Sequence, residues 1–261
     1  MSSRSLVRPA QELIHFPRFH VRCSFAAAAL LTGFSVLGVD TAAAQESYQD
    51  RSVISLPDAR MEGTVSVEQA LAGRRSIRRY PPGKLSLEQV AQVLWSAQGV
   101  TLPMEEPPEG FGWEWRGGTR TAPSAGALFP LELYLVAADV HGLEPAVYRY
   151  LPVEHALELT VPGDLRAPLS GAALGQDAIS SPPAVLVIAG IVERTAAKYG
   201  ERAERYVLIE AGAAAENVYL QCESLRLATV LVGAFVDERV KEVLQLPGRE
   251  EAYVLMPIGL R

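Results

Sequence analysis

Little in this chain of 261 residues can bind a metal or build a disulfide frame. Its two cysteines are Cys23 and Cys222, and its four histidines are His15, His20, His141 and His155. None of these falls at a ligand spacing such as i, i+4 on a helix, so zinc chemistry and a cysteine framework are both set aside. Positive charge is also scarce: 24 Lys and Arg face 30 Asp and Glu, a net charge of -6. The first 44 residues hold Arg4, Arg8, Arg18 and Arg22 against Glu12 and Asp40, so the remainder is more acidic still. Such a surface repels a phosphate backbone instead of releasing its counterions, and no nucleic-acid partner is expected. Hydrophobic residues at 49% and charged residues at 21% argue against disorder.

Two regions stand out by composition. Scattered arginines precede an apolar run from Ser24 to Val39, and Thr41-Ala-Ala-Ala-Gln45 follows it. This is the order of a secretory signal, and the run is short against the roughly 20 residues of a membrane span. The pattern predicts a signal peptide over 1–44, cleaved after Ala44, and export to the periplasm. An uncleaved anchor, or a start codon assigned too early with a cytoplasmic protein, is the alternative. Residues 45–64 are polar and aperiodic and read as a flexible lead-in to a domain over 65–261.

Within that domain, Ser66-Val-Glu-Gln69 and Ser86-Leu-Glu-Gln89 are capping boxes that start two helices, stopped at Gly73 and Gly99. The stretch 100–120 reads as a long loop carrying Trp113 and Trp115, candidates either for a lid or for an anchor to the core. Strands are expected over 131–138, 146–151, 156–161, 184–191, 229–235 and 252–258, and a helix over 237–244. The longest helical pattern runs from about Glu201 to Leu227. Its small residues mark it as a central or dimer-interface helix. Helices grouped with strand runs, without strict alternation, favour an α+β fold.

Three segments could carry chemistry. Gly73-Arg-Arg-Ser-Ile-Arg-Arg-Tyr80 puts Arg74, Ser76 and Arg78 on one side when extended, where guanidinium forks can grip a phosphate dianion. The same residues also read as a solvated basic patch. Arg120-Thr-Ala-Pro-Ser-Ala-Gly-Ala127 is a turn of small residues that either admits a flat ligand or simply reverses the chain. In Leu231-Val-Gly-Ala-Phe235 the glycine interrupts a strand, for packing or for close approach of a ligand.

Together these segments resemble the nitroreductase-type FMN flavoprotein superfamily, and more narrowly its SagB/ThcOx dehydrogenase branch. The resemblance covers about residues 66–261. It rests on Arg74–Tyr80, Arg120–Tyr134, Lys198-Tyr199, Ile209-Glu-Ala-Gly212 leading to Asn217, Val232–Asp237 and Pro257–Gly259. It implies a nitroreductase-like sandwich with a central, mainly antiparallel sheet, a homodimer, and FMN at the subunit interface passing hydride through flavin N5. On this resemblance Arg74, Arg75, Ser76 and Arg78 hold the phosphate and ribityl chain. Arg120, Pro123, Ser124, Ala125 and Gly126 belong to the isoalloxazine side, from the other subunit. Val232, Gly233 and Ala234 present backbone near N5, and Arg261 offers a late cation. Lys198 and Tyr199 match a pair associated with proton transfer in the azoline-oxidase members. The implied partners are a small-molecule or peptide substrate and NAD(P)H or another electron donor. An azoline oxidase of a peptide-maturation cluster and a non-catalytic flavin-binding scaffold are the alternatives. Ala213 stands where the branch usually has His, and Arg226-Leu-Ala228 where it usually has Gly-Leu-Gly; both departures point away from an azoline substrate.

Overall fold

In the computed structural model of the chain, residues 52–104 and 116–261 are described here. The chain divides into the units Met1–Ser47 and Tyr48–Arg261, and the described residues all belong to the second. The expected signal peptide, its cleavage site, and Trp113 and Trp115 lie outside the described residues. No helix among the described residues is long and apolar enough to cross a membrane.

The core of the unit is a seven-stranded sheet with the order β1-β6-β5-β4-β7-β9-β8, every neighbouring pair antiparallel. The strands are β1 (Val53–Ser55), β4 (Leu131–Ala137), β5 (Ala146–Leu151), β6 (Ala156–Pro162), β7 (Ala184–Gly190), β8 (Leu227–Thr229) and β9 (Glu251–Leu260). A separate antiparallel pair joins β2 (Val100–Pro103) to β3 (Gly118–Arg120). The period-2 alternation of β4 and β7 explains why both are wholly buried. Leu133, Leu135, Leu186 and Ile188 face one apolar layer, while Tyr134, Val136, Val185 and Val187 face the other. The first layer is covered by α2 (Leu87–Gln98) and α6 (Ala203–Ser224), and the second by α3 (Arg166–Ala172) and α7 (Asp237–Leu244). The remaining helices are α1 (Val67–Gly73), α4 (Asp177–Ser180) and α5 (Val192–Tyr199). The α+β sandwich expected from the sequence is the fold observed.

Both capping boxes form as expected. The Ser66 and Ser86 hydroxyls accept from the Gln69 and Gln89 backbone N–H groups, and both glutamines return the bond. Several expectations need correction. The aperiodic stretch 45–64 contains β1, because pairing with β6 supplies the order that its composition lacks. The long loop 100–120 begins and ends in a β2–β3 ladder. The strand expected over 229–235 stops at Thr229. Beyond it only Val232 returns to the sheet, exchanging two backbone hydrogen bonds of 2.9 Å with Leu255. The alanine stripe of α6 faces the chain's own core: Ala211, Ala214, Ala215, Val218 and Cys222 are all buried there. Cys222 is a free, buried thiol whose pKa burial pushes well up, as fits a packing residue.

Candidate functional site

Two groups of residues lie along α6. Glu210 marks one and Tyr219 the other, nine residues apart, which is about 13 Å of helix.

The arginine segment leaves the end of α1 in extended form. Ser76 bridges to Thr229 at the end of β8, and the Ile77 N–H donates to the Thr229 carbonyl at 2.9 Å. Tyr219 organises what lies around it. The Arg74 guanidinium sits 4.9 Å from the centre of its ring. Its hydroxyl lies 2.9 Å from Ser76 Oγ and accepts the Leu231 N–H at 2.8 Å. One buried tyrosine thus ties the arginine segment to the start of the glycine pause. Arg75 folds back and donates to the carbonyls of Ala72 and Arg74, while Arg75, Ser76 and Arg78 are all exposed. Val232 is buried, and Gly233 and Ala234 are exposed. A side chain added at Gly233 would meet nothing within 4 Å, so a flat group can approach this backbone. The Gln176 side-chain amide holds the Ala234 carbonyl at 2.9 Å. Arg261 is paired with Glu223, whose carboxylate also packs against Gly73, so the last residue borders the same segment.

The second group surrounds the turn from Pro123 to Phe129. Gly126, Ala127 and Phe129 have φ of +64°, +55° and +44°, with right-handed Leu128 between them; the glycine adopts this backbone freely, whereas Ala127 and Phe129 do so at a cost that contacts must offset. The contacts are present. The Ala125 N–H donates to Glu210 Oε1 at 2.8 Å, the Phe129 N–H donates to Ser124 Oγ at 2.9 Å, and the Phe129 carbonyl accepts from Arg194 at 3.1 Å. Lys198 and Tyr199 at the end of α5 reach the same turn. A Cβ at Gly126 would lie 2.9 Å from the Tyr199 hydroxyl and 3.0 Å from Lys198 Nζ, so only glycine leaves room for both tips. The Tyr199 ring meets Tyr206 edge-on at 4.9 Å.

Charge beneath the turn is buried. Glu132 of β4 is ion-paired with Arg194 of α5 and, at 2.7 Å, with Arg149 of β5. Burial opposes ionisation of Glu132, yet the two guanidiniums outweigh it and hold its pKa below the ordinary value. Glu210 differs: burial raises its pKa, with only the Ala125 N–H and the Ser124 hydroxyl working the other way. Glu210 Oε2 is buried and has no hydrogen-bond partner among the described residues. Arg120 donates to the carbonyls of Gln98 and Arg116 and covers the Phe129 ring at 5.4 Å; burial pulls its pKa down to about 10. Its guanidinium therefore braces the base of the turn.

The structure thus gathers Arg74 and Ser76 beside Leu231–Ala234, and Pro123–Gly126 beside Lys198 and Tyr199. Among the described residues, no hydrogen bond or ion pair joins those two groups. Tyr219 and Arg194 escaped sequence reasoning, and Glu210 entered it only within the Ile209–Gly212 match, with no role of its own. Tyr219 looked like one more apolar position of a helical stripe, and no sequence spacing links Glu210 to Ala125, 85 residues away. No cluster of His, Cys, Asp and Glu among the described residues could hold a metal ion.

Comparison with known proteins adds an independent finding. The sequence model of the Nitroreductase family matches residues 71–260. A Methanocaldococcus jannaschii protein that carries the name nitroreductase is 40% identical over 210 residues, 80% of this chain and 97% of that one. The microcin B17-processing protein McbC of Escherichia coli is 24% identical over 248 residues, covering 91% and 86%. Among solved structures, a nitroreductase from Ralstonia eutropha superposes with a TM-score of 0.66 at 31% identity, covering 82% of this chain and 90% of its own.

Proposed function

The chain belongs to the Nitroreductase family and is an oxidoreductase, and on that footing we propose that it is an FMN-dependent enzyme of the SagB/ThcOx type working as a homodimer. The observation that carries the reading is the grouping of Arg74 and Ser76 on Tyr219 next to Leu231. It sets cationic and hydroxyl donors suited to a phosphate beside an open glycine backbone suited to a flat ring. The residues present fit FMN. Arg74, Arg75, Ser76 and Arg78 hold its phosphate and ribityl chain, with Arg261 near by, and Val232, Gly233 and Ala234 lie against its ring. The turn Pro123, Ser124, Ala125 and Gly126, braced by Arg120, closes over the ring from a second copy of the chain. When bound, the cofactor supplies hydride transfer through N5. The protein's part is to grip the phosphate, exclude water with Val232 and the turn, and hold protons on Lys198 Nζ and the Tyr199 hydroxyl.

The second copy docks on the outer face of α6, where Leu208 and Ile209 are exposed at 49% and 62% and Gly212 leaves open space above the backbone. Flat apolar helix surface of this kind favours a close helix pair. NAD(P)H serves as electron donor. Export through the segment 1–44 is part of the same proposal. Purified chain should be yellow, lose its colour with NADH and regain it with a quinone. A colourless, folded protein that takes up no FMN would favour a scaffold.

A second reading has its own support. Lys198 Nζ and the Tyr199 hydroxyl converge on Gly126, and a relative is named for processing a microcin. An azoline oxidase needs a base to remove a ring proton as hydride leaves, and this pair could serve. Turnover of a synthetic thiazoline peptide, lost in Lys198→Ala, separates the readings.

A further inference from the structure

Glu210 is 4% exposed and keeps a buried oxygen with no partner among the described residues. A buried, half-satisfied carboxyl destabilises a fold, and a leucine at this point of α6 would pack more cheaply. Its one backbone contact is the Ala125 N–H, at 2.8 Å and across 85 residues of sequence. That donor sits one residue before Gly126, the first of three left-handed positions in the turn and the point where Lys198 and Tyr199 rest their tips. Ser124, whose hydroxyl favours the ionised Glu210 carboxyl, accepts the Phe129 N–H and so closes the turn on itself. Arg194 holds the far end through the Phe129 carbonyl, from the same helix that carries Lys198 and Tyr199. The turn is therefore held at two points, and the α6 contact is the one that adjoins Gly126.

We propose that Glu210 is a positioning residue: by holding the Ala125 N–H it fixes the turn at Gly126 and thereby the place at which Lys198 Nζ and the Tyr199 hydroxyl meet. The use of that pair in proton transfer rests on the function proposed above; its position does not. The acceptor oxygen is the working part, so an amide should replace the carboxyl and a hydrocarbon should not.

The chain has three lysines, Lys84, Lys198 and Lys241, which makes the test clean. Reductive methylation of the full chain with 13C-formaldehyde gives one side-chain signal from each, assigned with Lys198→Arg. Glu210→Ala should displace the Lys198 signal and leave Lys84 and Lys241 in place, and Glu210→Gln should restore it. Glu210→Leu, which fills the space without an acceptor, stands in if the alanine variant fails to fold. An unmoved Lys198 signal in the variant without an acceptor overturns the proposal. So does equal displacement in Glu210→Gln, which would assign the effect to charge. The signals are read with or without flavin, so a chain that binds no FMN defeats the proposed function and leaves this test intact.

Discussion

The arginine segment and the small-residue turn solve opposite problems. Arg75 and Arg78 stand in solvent, Arg75 engaged only with nearby backbone carbonyls, and Ser76 is exposed with its hydroxyl resting on Tyr219, so the guanidinium donors can turn to a ligand. The turn 123–129 has strained backbone pinned from beneath by Glu210, Arg194 and the Glu132 network, and little freedom. Ligand affinity should therefore reside in the first region, and geometry and stability in the second. Substitutions that exchange those roles would break the comparison.

The largest effect belongs to the buried pins. Arg194→Ala strips Glu132 of one of its two close guanidiniums and frees the Phe129 carbonyl. Removing one partner of a buried pair costs about 3–5 kcal/mol, and for a domain of this size the melting temperature should fall by roughly 6–20 °C. A thermal melt within a degree or two of the parent would show that the turn does not depend on this network. Next comes Arg74→Ala, which should weaken FMN binding by about 1.5–3 kcal/mol with little change in melting. Equal affinity by fluorescence titration would remove the arginine segment from the site. Gly126→Ala is smaller: left-handed backbone costs a residue with a Cβ about 1–2 kcal/mol, and the new methyl displaces Lys198 and Tyr199. Denaturant unfolding should show that loss, and unchanged stability would mean that the turn is softer than its contacts suggest.

The smallest effect is a pH dependence. The Glu210 pKa is raised in the folded state, so the folded protein holds its proton more tightly than the unfolded chain. The contribution is fully present below the ordinary carboxyl value and is lost as pH rises through the raised one. Melting of Glu210→Gln relative to the parent should therefore improve as pH increases from about 5 to 8, since the amide has no proton to lose. A constant difference across that range would place the Glu210 pKa at its ordinary value.

What could be read in advance divides along the same line. The arginine segment was legible because four guanidiniums in six residues are conspicuous in an acidic chain. The two capping boxes were legible because their signal is local. The turn was recognisable from its small residues, but what holds it was not, because Ala125–Glu210 and Phe129–Arg194 join segments 85 and 65 positions apart. The alanine stripe of α6 shows a second limit. Small apolar residues at helical spacing predict close packing but not the neighbour, and Ala214 and Ala215 pack into the chain's own core. A charge placed there would unfold the protein rather than report on a dimer. Thr229 marks a third: the apolar run continues past it, yet the ladder with β9 breaks after Thr229–Ile258, where the next residue of β9 is Pro257 and offers no N–H, and pairing returns only at Val232–Leu255.

The central claim is that one flavin is held between two copies of the chain, with the arginine segment of one facing the turn of the other. Sedimentation of the FMN-loaded protein, followed at the visible flavin band, tests it most directly. The account predicts that the colour travels with a dimer and is lost when Gly212→Arg splits the pair. A monomer that keeps its flavin, or a folded dimer that never takes one up, would contradict it.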